Sequence, residues 1–389
     1  MRQMAVRAFP IQSDPTLLED IREYGKFDTT GCYQCGSCTL SCELVSDSAT
    51  FPRKSIRLAL FGLRIPLVRS LDPWICHDCG DCSLVCPRQA EPRISMITLR
   101  RFLTAQYDWT GISSKLLQSK AWYLGSLISL AVLTFALIVG YHLWYVGMAA
   151  KDFTTTPFGL DHMFPLITYY TLVIVLLPLL LLLSRVFRIW RLTMAGQNIG
   201  WSSYLREAWV YVYESVAQPL LRKCPEHRRW FGHEVLAGGT VLMLSIKVFG
   251  LRWFQTDEIY PLYNPQRWVG YLGACCILYG VGTILVGRWQ AKKEIYKETH
   301  FHDLVFPVLT VLTVLSGLTA HILRYAGFAL GCHYAYALHV IIATPMLVIE
   351  MSFGKWSHMV YRPLALYFLA VKERAAQTVP AVEAVSHAI

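Results

Sequence analysis

The sequence predicts an all-α protein in two parts: a helical N-terminal domain rich in cysteine, then a bundle of six membrane-crossing helices. Three observations carry this expectation. Eight cysteines stand in two runs of identical spacing before residue 90. The stretch between those runs has apolar residues at helical intervals. Six long apolar segments, nearly free of charge, follow residue 120.

The first run is "GCYQCGSCTLSC", residues 31–42, and the second "ICHDCGDCSLVCP", residues 75–87. Cys32, Cys35, Cys38 and Cys42, like Cys76, Cys79, Cys82 and Cys86, match C-x2-C-x2-C-x3-C. A disulfide framework belongs to small secreted domains, and the opening "MRQMAVRAFPIQSDP" lacks the apolar region of a secretory signal. Zinc sites more often pair separate C-x2-C units. Four close thiolates with this spacing, twice, followed in the second run by Pro87, predict two 4Fe-4S clusters. In two-cluster ferredoxins the fourth cysteine of each run crosses to the other cluster. Cys32, Cys35, Cys38 and Cys86 are therefore assigned to one centre, and Cys76, Cys79, Cys82 and Cys42 to the other. Glu43 takes the place of a proline after the first run. Between the runs, "FPRKSIRLALFGL" has Pro52 near a helix start and Ile56, Leu60 and Leu63 on one side, so a helical cluster domain is expected. Cys224, Cys275, Cys276 and Cys332 are read as small buried residues.

At 389 residues, 54% hydrophobic and with mean hydropathy +0.38, the chain lies outside the ordinary soluble class. The apolar segments run over about 121–146, 163–187, 234–252, 268–287, 304–324 and 335–354. Each has the roughly 20 residues needed to cross a hydrocarbon core of about 30 Å. The expected domains are thus 1–120 for the clusters, 121–358 for the membrane bundle and 359–389 for a tail. Lys and Arg are concentrated in the 188–232 and 288–303 loops and after residue 355, against Lys151 and Arg267 in the opposite loops. That asymmetry places those loops, both termini and the cluster domain on the cytoplasmic side of a cell inner membrane. The net charge of +10 is mostly this topology signal; no nucleic-acid role is expected. "WSSYLREAWVYVYESVAQPLLR", residues 201–222, reads as a helix in the lipid interface or a packed connector.

Histidines in the membrane half form two layers. His233 and His358 lie towards the cytoplasm; His142, His162, His321, His333 and His339 lie towards the outside. An imidazole in a membrane helix needs a partner, a cavity or a metal. A bis-histidine b-type haem takes one from each of two helices at equal depth. His339 and His358 are separated by about 28 Å on a helix rising 1.5 Å per residue, which suits one haem near each leaflet. A straight helix would rotate them about 100° apart, a mismatch with facing both inward; Pro345 and Gly354 lie between them and could supply a bend. His162, His300, His302, His333 and His387 are read as structural, and His77 as a neighbour that tunes a cluster.

"LHVIIATPMLVIEMSFGKWSHMVYRP" resembles the last membrane helix of nitrate reductase gamma subunits, where two histidines bind two b haems. "WFGHEVLAGG" resembles the start of the helix supplying the cytoplasmic-side partner. The N-terminal half resembles the C subunit of heterodisulfide reductase. The fusion resembles the C subunit of quinone-interacting membrane-bound oxidoreductase complexes of sulfate reducers. The resemblance implies a cytochrome b bundle with two haem b groups: His233 and His358 for the cytoplasmic haem, His339 for the outer one. Met243 stands where the gamma subunits have a second histidine. The other outer ligand is then His321, with His142 next and Met243 as a thioether alternative.

The implied function is electron transfer between menaquinone, the b haems and the clusters, and on to flavin-containing and iron–sulfur cytoplasmic subunits, with adenylylsulfate reductase as eventual acceptor. No dinucleotide fingerprint and no nucleophile constellation is evident, so this is a conducting part rather than a complete enzyme. A heterodisulfide-reductase-like or sulfite-pathway complex, the reverse direction of flow, and a haem-free membrane anchor stay open as alternatives. Lys247, charged within the third segment, is the candidate quinone contact, with interfacial snorkelling as its structural reading. Glu350 in the sixth segment fits a proton path, a salt bridge or a watery pocket.

Overall fold

The computed structural model of the chain describes residues 12–28, 31–46, 50–149, 160–194, 196–197, 199–222, 227–254, 256 and 258–378. Among them the regular elements are helical and no strand is present. The chain divides into two compact units. The first takes the described residues of Met1–Trp109, Arg188–Glu207 and Ala365–Ile389; the second takes those of Thr110–Phe187 and Ala208–Leu364.

The first unit is built on one helix, Pro92–Tyr107. Proline at its first position presets the helical φ and gives up an amide that has no partner there. Met96, Leu99, Phe102 and Leu103 bury one side of it. Leu17–Arg22, Arg53–Leu60, Asp72–Ile75 and Asp81–Leu84 all pack on that helix. Arg53–Leu60 is the helix expected after Pro52, and it buries Ile56 and Ala59. Three tethers fix the long helix to its neighbours: Thr98 Oγ1 donates to the Lys26 carbonyl at 2.8 Å, Arg100 Nε to the Pro73 carbonyl at 2.7 Å, and Trp74 Nε1 to the Tyr107 hydroxyl at 3.4 Å.

Among the described residues six helices are long and apolar enough to cross a membrane, and they lie in the second unit except for the last turns of the second helix. They are Lys120–Ala149, Leu160–Thr193, His227–Phe249, Pro265–Gln290, Phe301–Tyr325 and a sixth that begins as Ala329–Pro345. The third packs on the fourth, the fourth on the fifth, the fifth on the sixth, and the sixth on the first. Leu133, Phe135 and Leu137 of the first helix and Leu172, Val173 and Leu176 of the second point outward and are exposed. In water such faces would be costly at about 25 cal/mol per Å²; in lipid they are satisfied. The arrangement is that of a multi-pass membrane protein.

The sixth helix is irregular where it matters. After Pro345 it widens into a π-helical turn, Met346–Glu350, closes with Met351–Phe353, and breaks at Gly354. A 3-10 turn, Lys355–Ser357, leads into a new helix, His358–Thr378. His339 and His358 therefore stand on different helices, and the rotational mismatch of a straight helix does not arise. The stretch expected as a tail after 358 is helical to Thr378. Trp201–Val216 is a helix with Trp201, Leu205, Trp209 and Val216 exposed, and it stops before Gln218, whose φ is 42°. Cys224, His387, the side chain of His162 and the loose end beyond 378 lie outside the described residues.

Candidate metal centres

The two cysteine loops repeat one backbone path. Gln34 and Asp78, just before the second cysteine of each run, have φ of 56° and 62°; Gly36 and Gly80, just after it, have 89° and 101°. Left-handed backbone costs glycine little, but Gln34 and Asp78 hold a conformation that side chains other than glycine seldom adopt. Such residues gather at ligand clamps. Each loop then enters a short helix, Ser37–Leu40 or Asp81–Leu84, which carries the third cysteine.

Those loops bring the runs together crosswise. One cavity is lined by Cys32, Cys35 and Cys38 together with Cys86 and Pro87 of the other run. Cys42 in turn lies within electrostatic reach of Cys76 and Cys79. Burial pushes the Cys42 thiol up to about 11, and it raises Cys38 and Cys82 in the same direction, with neighbouring cysteines adding to it. Several thiolates crowded at one place repel one another; a bound metal cation reverses this and holds them deprotonated. Among the described residues no three ligating side chains converge tightly enough for a single ion. The thiols of the first centre surround a cavity, and that suits a polynuclear group.

Polar groups already address the sulfurs. Gln34 Nε2 donates to Cys32 Sγ at 3.3 Å, the Asp78 amide to Cys76 Sγ at 3.4 Å, and the Ala90 amide to Cys86 Sγ at 3.4 Å. Donors of this kind stabilise charge on cluster sulfurs and raise the reduction potential. Arg93, 2% exposed, pairs with Asp78 at 2.7 Å, and its amide donates to Ser83 Oγ at 3.2 Å. Arg100 reaches the Cys76 carbonyl. Neither arginine is legible in the sequence as a support, because both lie outside the runs and reach them only through the fold. His77 is buried beside Cys76.

In the bundle, His233 comes from the third helix and His358 opens the last. Their rings face each other with centroids 6.0 Å apart and planes at 63°. His233 Nδ1 is buried and has no hydrogen-bond partner among the described residues. His358 Nδ1 contacts the Lys355 carbonyl. A carbonyl only accepts, so Nδ1 carries the proton and Nε2 keeps its lone pair, the tautomer of a metal ligand. His339 is held in the same way: its Nδ1 donates to the Thr313 carbonyl at 2.9 Å and lies 3.2 Å from Ser316 Oγ. Lys247, half-buried, is within electrostatic reach of that ring.

The remaining candidates are placed elsewhere. His321 is not brought to His339; its Nε2 bonds the Tyr271 hydroxyl at 2.8 Å and its ring lies against Tyr325. Tyr271 also accepts from Arg267 Nη2 at 2.8 Å, a cluster that no sequence pattern signals. The Met243 thioether packs over Gly273 of the fourth helix. His142 is on the exposed side of the first helix. His302 Nε2 bonds the Leu116 carbonyl at 3.1 Å, and His300 caps the fifth helix with Asp303.

Comparison with known proteins bears on the first unit. Residues 24–91 match the family of 4Fe-4S dicluster domains. The class defined is therefore an iron–sulfur electron-transfer protein carrying two 4Fe-4S clusters, with a membrane-helical part. Over 90 residues the chain is 33% identical to a protein of Archaeoglobus profundus described as similar to the C subunit of heterodisulfide reductase. That match covers 23% of this chain and 48% of the relative, so the chain spans about half the length of the curated relative it matches. No solved structure matches.

Proposed function

We propose that the chain is the membrane subunit of a quinone-dependent oxidoreductase complex. It passes electrons between menaquinol and cytoplasmic flavin and iron–sulfur subunits, with adenylylsulfate reductase as the eventual acceptor. Cys32, Cys35, Cys38 and Cys86 hold one 4Fe-4S cluster, and Cys76, Cys79, Cys82 and Cys42 the other. His233 and His358 hold an inner haem b; His339 holds an outer one, with His321 as second ligand only if it releases Tyr271. Both termini and the clusters face the cytoplasm of the inner membrane.

The observation that carries the haem reading is the opposed pair His233 and His358. Its 6.0 Å separation fits two imidazoles that would hold one metal between them, and a haem there would supply a one-electron carrier. When bound, the haems and clusters supply one-electron carriers. The residues do the rest. The Lys355 carbonyl orients the His358 ring, and the Thr313 carbonyl that of His339. The left-handed turn of the first loop sets Cys32, Cys35 and Cys38 around one cavity. Lys247, beside His339, donates to a quinone carbonyl and offsets the negative charge that develops as the ring is reduced.

The test is a reduced-minus-oxidised optical spectrum of the purified chain. A b-type spectrum supports the reading; its absence makes the bundle an anchor. The subunits that co-purify decide between this complex and a heterodisulfide-reductase-like one, the reading favoured by the Archaeoglobus relative.

A further inference from the structure

Glu350 is fully buried inside the bundle, at the end of the π-helical turn. Turns of this kind inside α-helices occur frequently at functional sites. The carboxylate has two partners, the Tyr123 hydroxyl of the first helix and the Lys355 amide, the latter at 3.1 Å. Gly354 lies so close that a Cβ there would overlap the carboxylate. The chain therefore keeps a space for this group where any other residue would close it.

Among the described residues no ion pair is formed with the Glu350 carboxylate. The Lys355 ammonium lies within electrostatic reach of it but pairs with Asp303, which also faces Arg288 at 3.9 Å. Charged and titratable groups on the elements around the carboxylate include Tyr123, Lys355, His302 with His300 stacked on it, Asp303, His339 and Arg185. The His302 ring packs edge-on against Tyr123 at 4.1 Å, and Arg185 stacks over Phe353 at 4.4 Å. A structural salt bridge does not explain a carboxylate placed like this. A buried carboxylate with neutral donors and no paired cation gains a proton readily when further negative charge arrives nearby.

One turn of chain connects it to a place where such charge arrives. Lys355 donates its amide to Glu350 and accepts from His358 Nδ1 on its carbonyl. We propose that Glu350 is the proton-binding partner of the His233–His358 site, taking up one proton when that site gains one electron. This rests on the haem reading above. With a haem held by His233 and His358, the site would accept one electron, originating from quinol, while one proton from the aqueous side would form an O–H bond on the Glu350 carboxylate. Reoxidation releases both. The Lys355 side chain, 37% exposed beside Asp303, marks the rim from which the proton enters. Glu350 is a positioning and proton-holding residue, since it touches the histidine only through the Lys355 turn.

The test is potentiometric titration of the b-type absorbance of the full chain at several pH values, with the inner haem identified by its loss in His233→Ala. In the wild type, the inner midpoint falls as pH rises, by up to about 59 mV for each tenfold fall in proton concentration. In Glu350→Gln that slope disappears while haem content and the bis-histidine spectrum stay. Tyr123→Phe keeps the slope but moves its pH window upward, because a donor to the charged carboxylate is lost. A slope unchanged in Glu350→Gln, or absent from the wild type, overturns the proposal. Should Glu350→Gln fail to fold, an unmoved window in Tyr123→Phe overturns it. A wild type without b-type absorbance instead removes the haem reading itself.

Discussion

The rings of His233 and His358, from the third helix and from the start of the last one, face each other at 6.0 Å. The Lys355 carbonyl fixes the proton of His358 on Nδ1 and leaves Nε2 to meet a metal. His233→Ala and His358→Ala are each expected to lose the inner haem, and His339→Ala the outer one, so that haem per chain falls from two to one. Haem extraction with a pyridine spectrum measures this. His321→Ala with normal haem content and spectrum would agree with its bond to Tyr271 and remove it as a ligand.

The crossed cysteines make a separate prediction. Cys86→Ser is expected to disturb the centre built on Cys32, Cys35 and Cys38, not the one built on Cys76, Cys79 and Cys82. Paramagnetic resonance of the reduced chain, with about eight non-haem iron atoms in the wild type, distinguishes the two signals. Loss of the other signal would mean that each run keeps its own fourth cysteine.

Lys247→Leu tests the quinone contact. A hydrogen bond from a charged group contributes about 1.5–3 kcal/mol, so quinol-driven haem reduction should slow, or quinol affinity fall, roughly ten- to hundredfold. Both haems should remain. Unchanged rate and affinity would leave Lys247 as an interfacial anchor.

The first unit should carry an acid-sensitive tie. Hydrogen bonds from Arg64 and then Thr16 hold the Asp14 carboxyl below its ordinary value of 3.8. A depressed carboxyl adds stability above its unfolded pKa and loses it as pH falls through the folded one. Arg64→Gln should therefore melt slightly below wild type at neutral pH, with the gap narrowing below about pH 3.8. Circular dichroism melts at both pH values check the sign; a gap that widens in acid would contradict it.

Much of this architecture is legible in the residues because its signals are local. Three cysteines within seven residues already sit in one loop, and Gly36 and Gly80 mark where that loop turns. Six apolar stretches predict six helices, and the structure extends most of them by a turn or so at an end. The two histidines at 339 and 358 are harder to place from the residues, which offer only a period and a proline. Neither signal contains the π-turn that follows Pro345 or the break at Gly354.

Features that depend on neighbours in the chain are readable from the residues: the cluster loops, the dicluster class and the apolar helices. Features that depend on packing are not. Cys86 reaches the Cys38 loop, His233 meets His358, His321 bonds Tyr271, and Tyr123 closes over Glu350 because helices far apart in the chain settle at particular rotations about their axes. Those rotations are set by many side chains packed at once, through glycines such as Gly280 against Leu236 and buried clusters such as Leu116, Tyr123, Leu127, Ile349 and Phe353. No short stretch of sequence contains that sum.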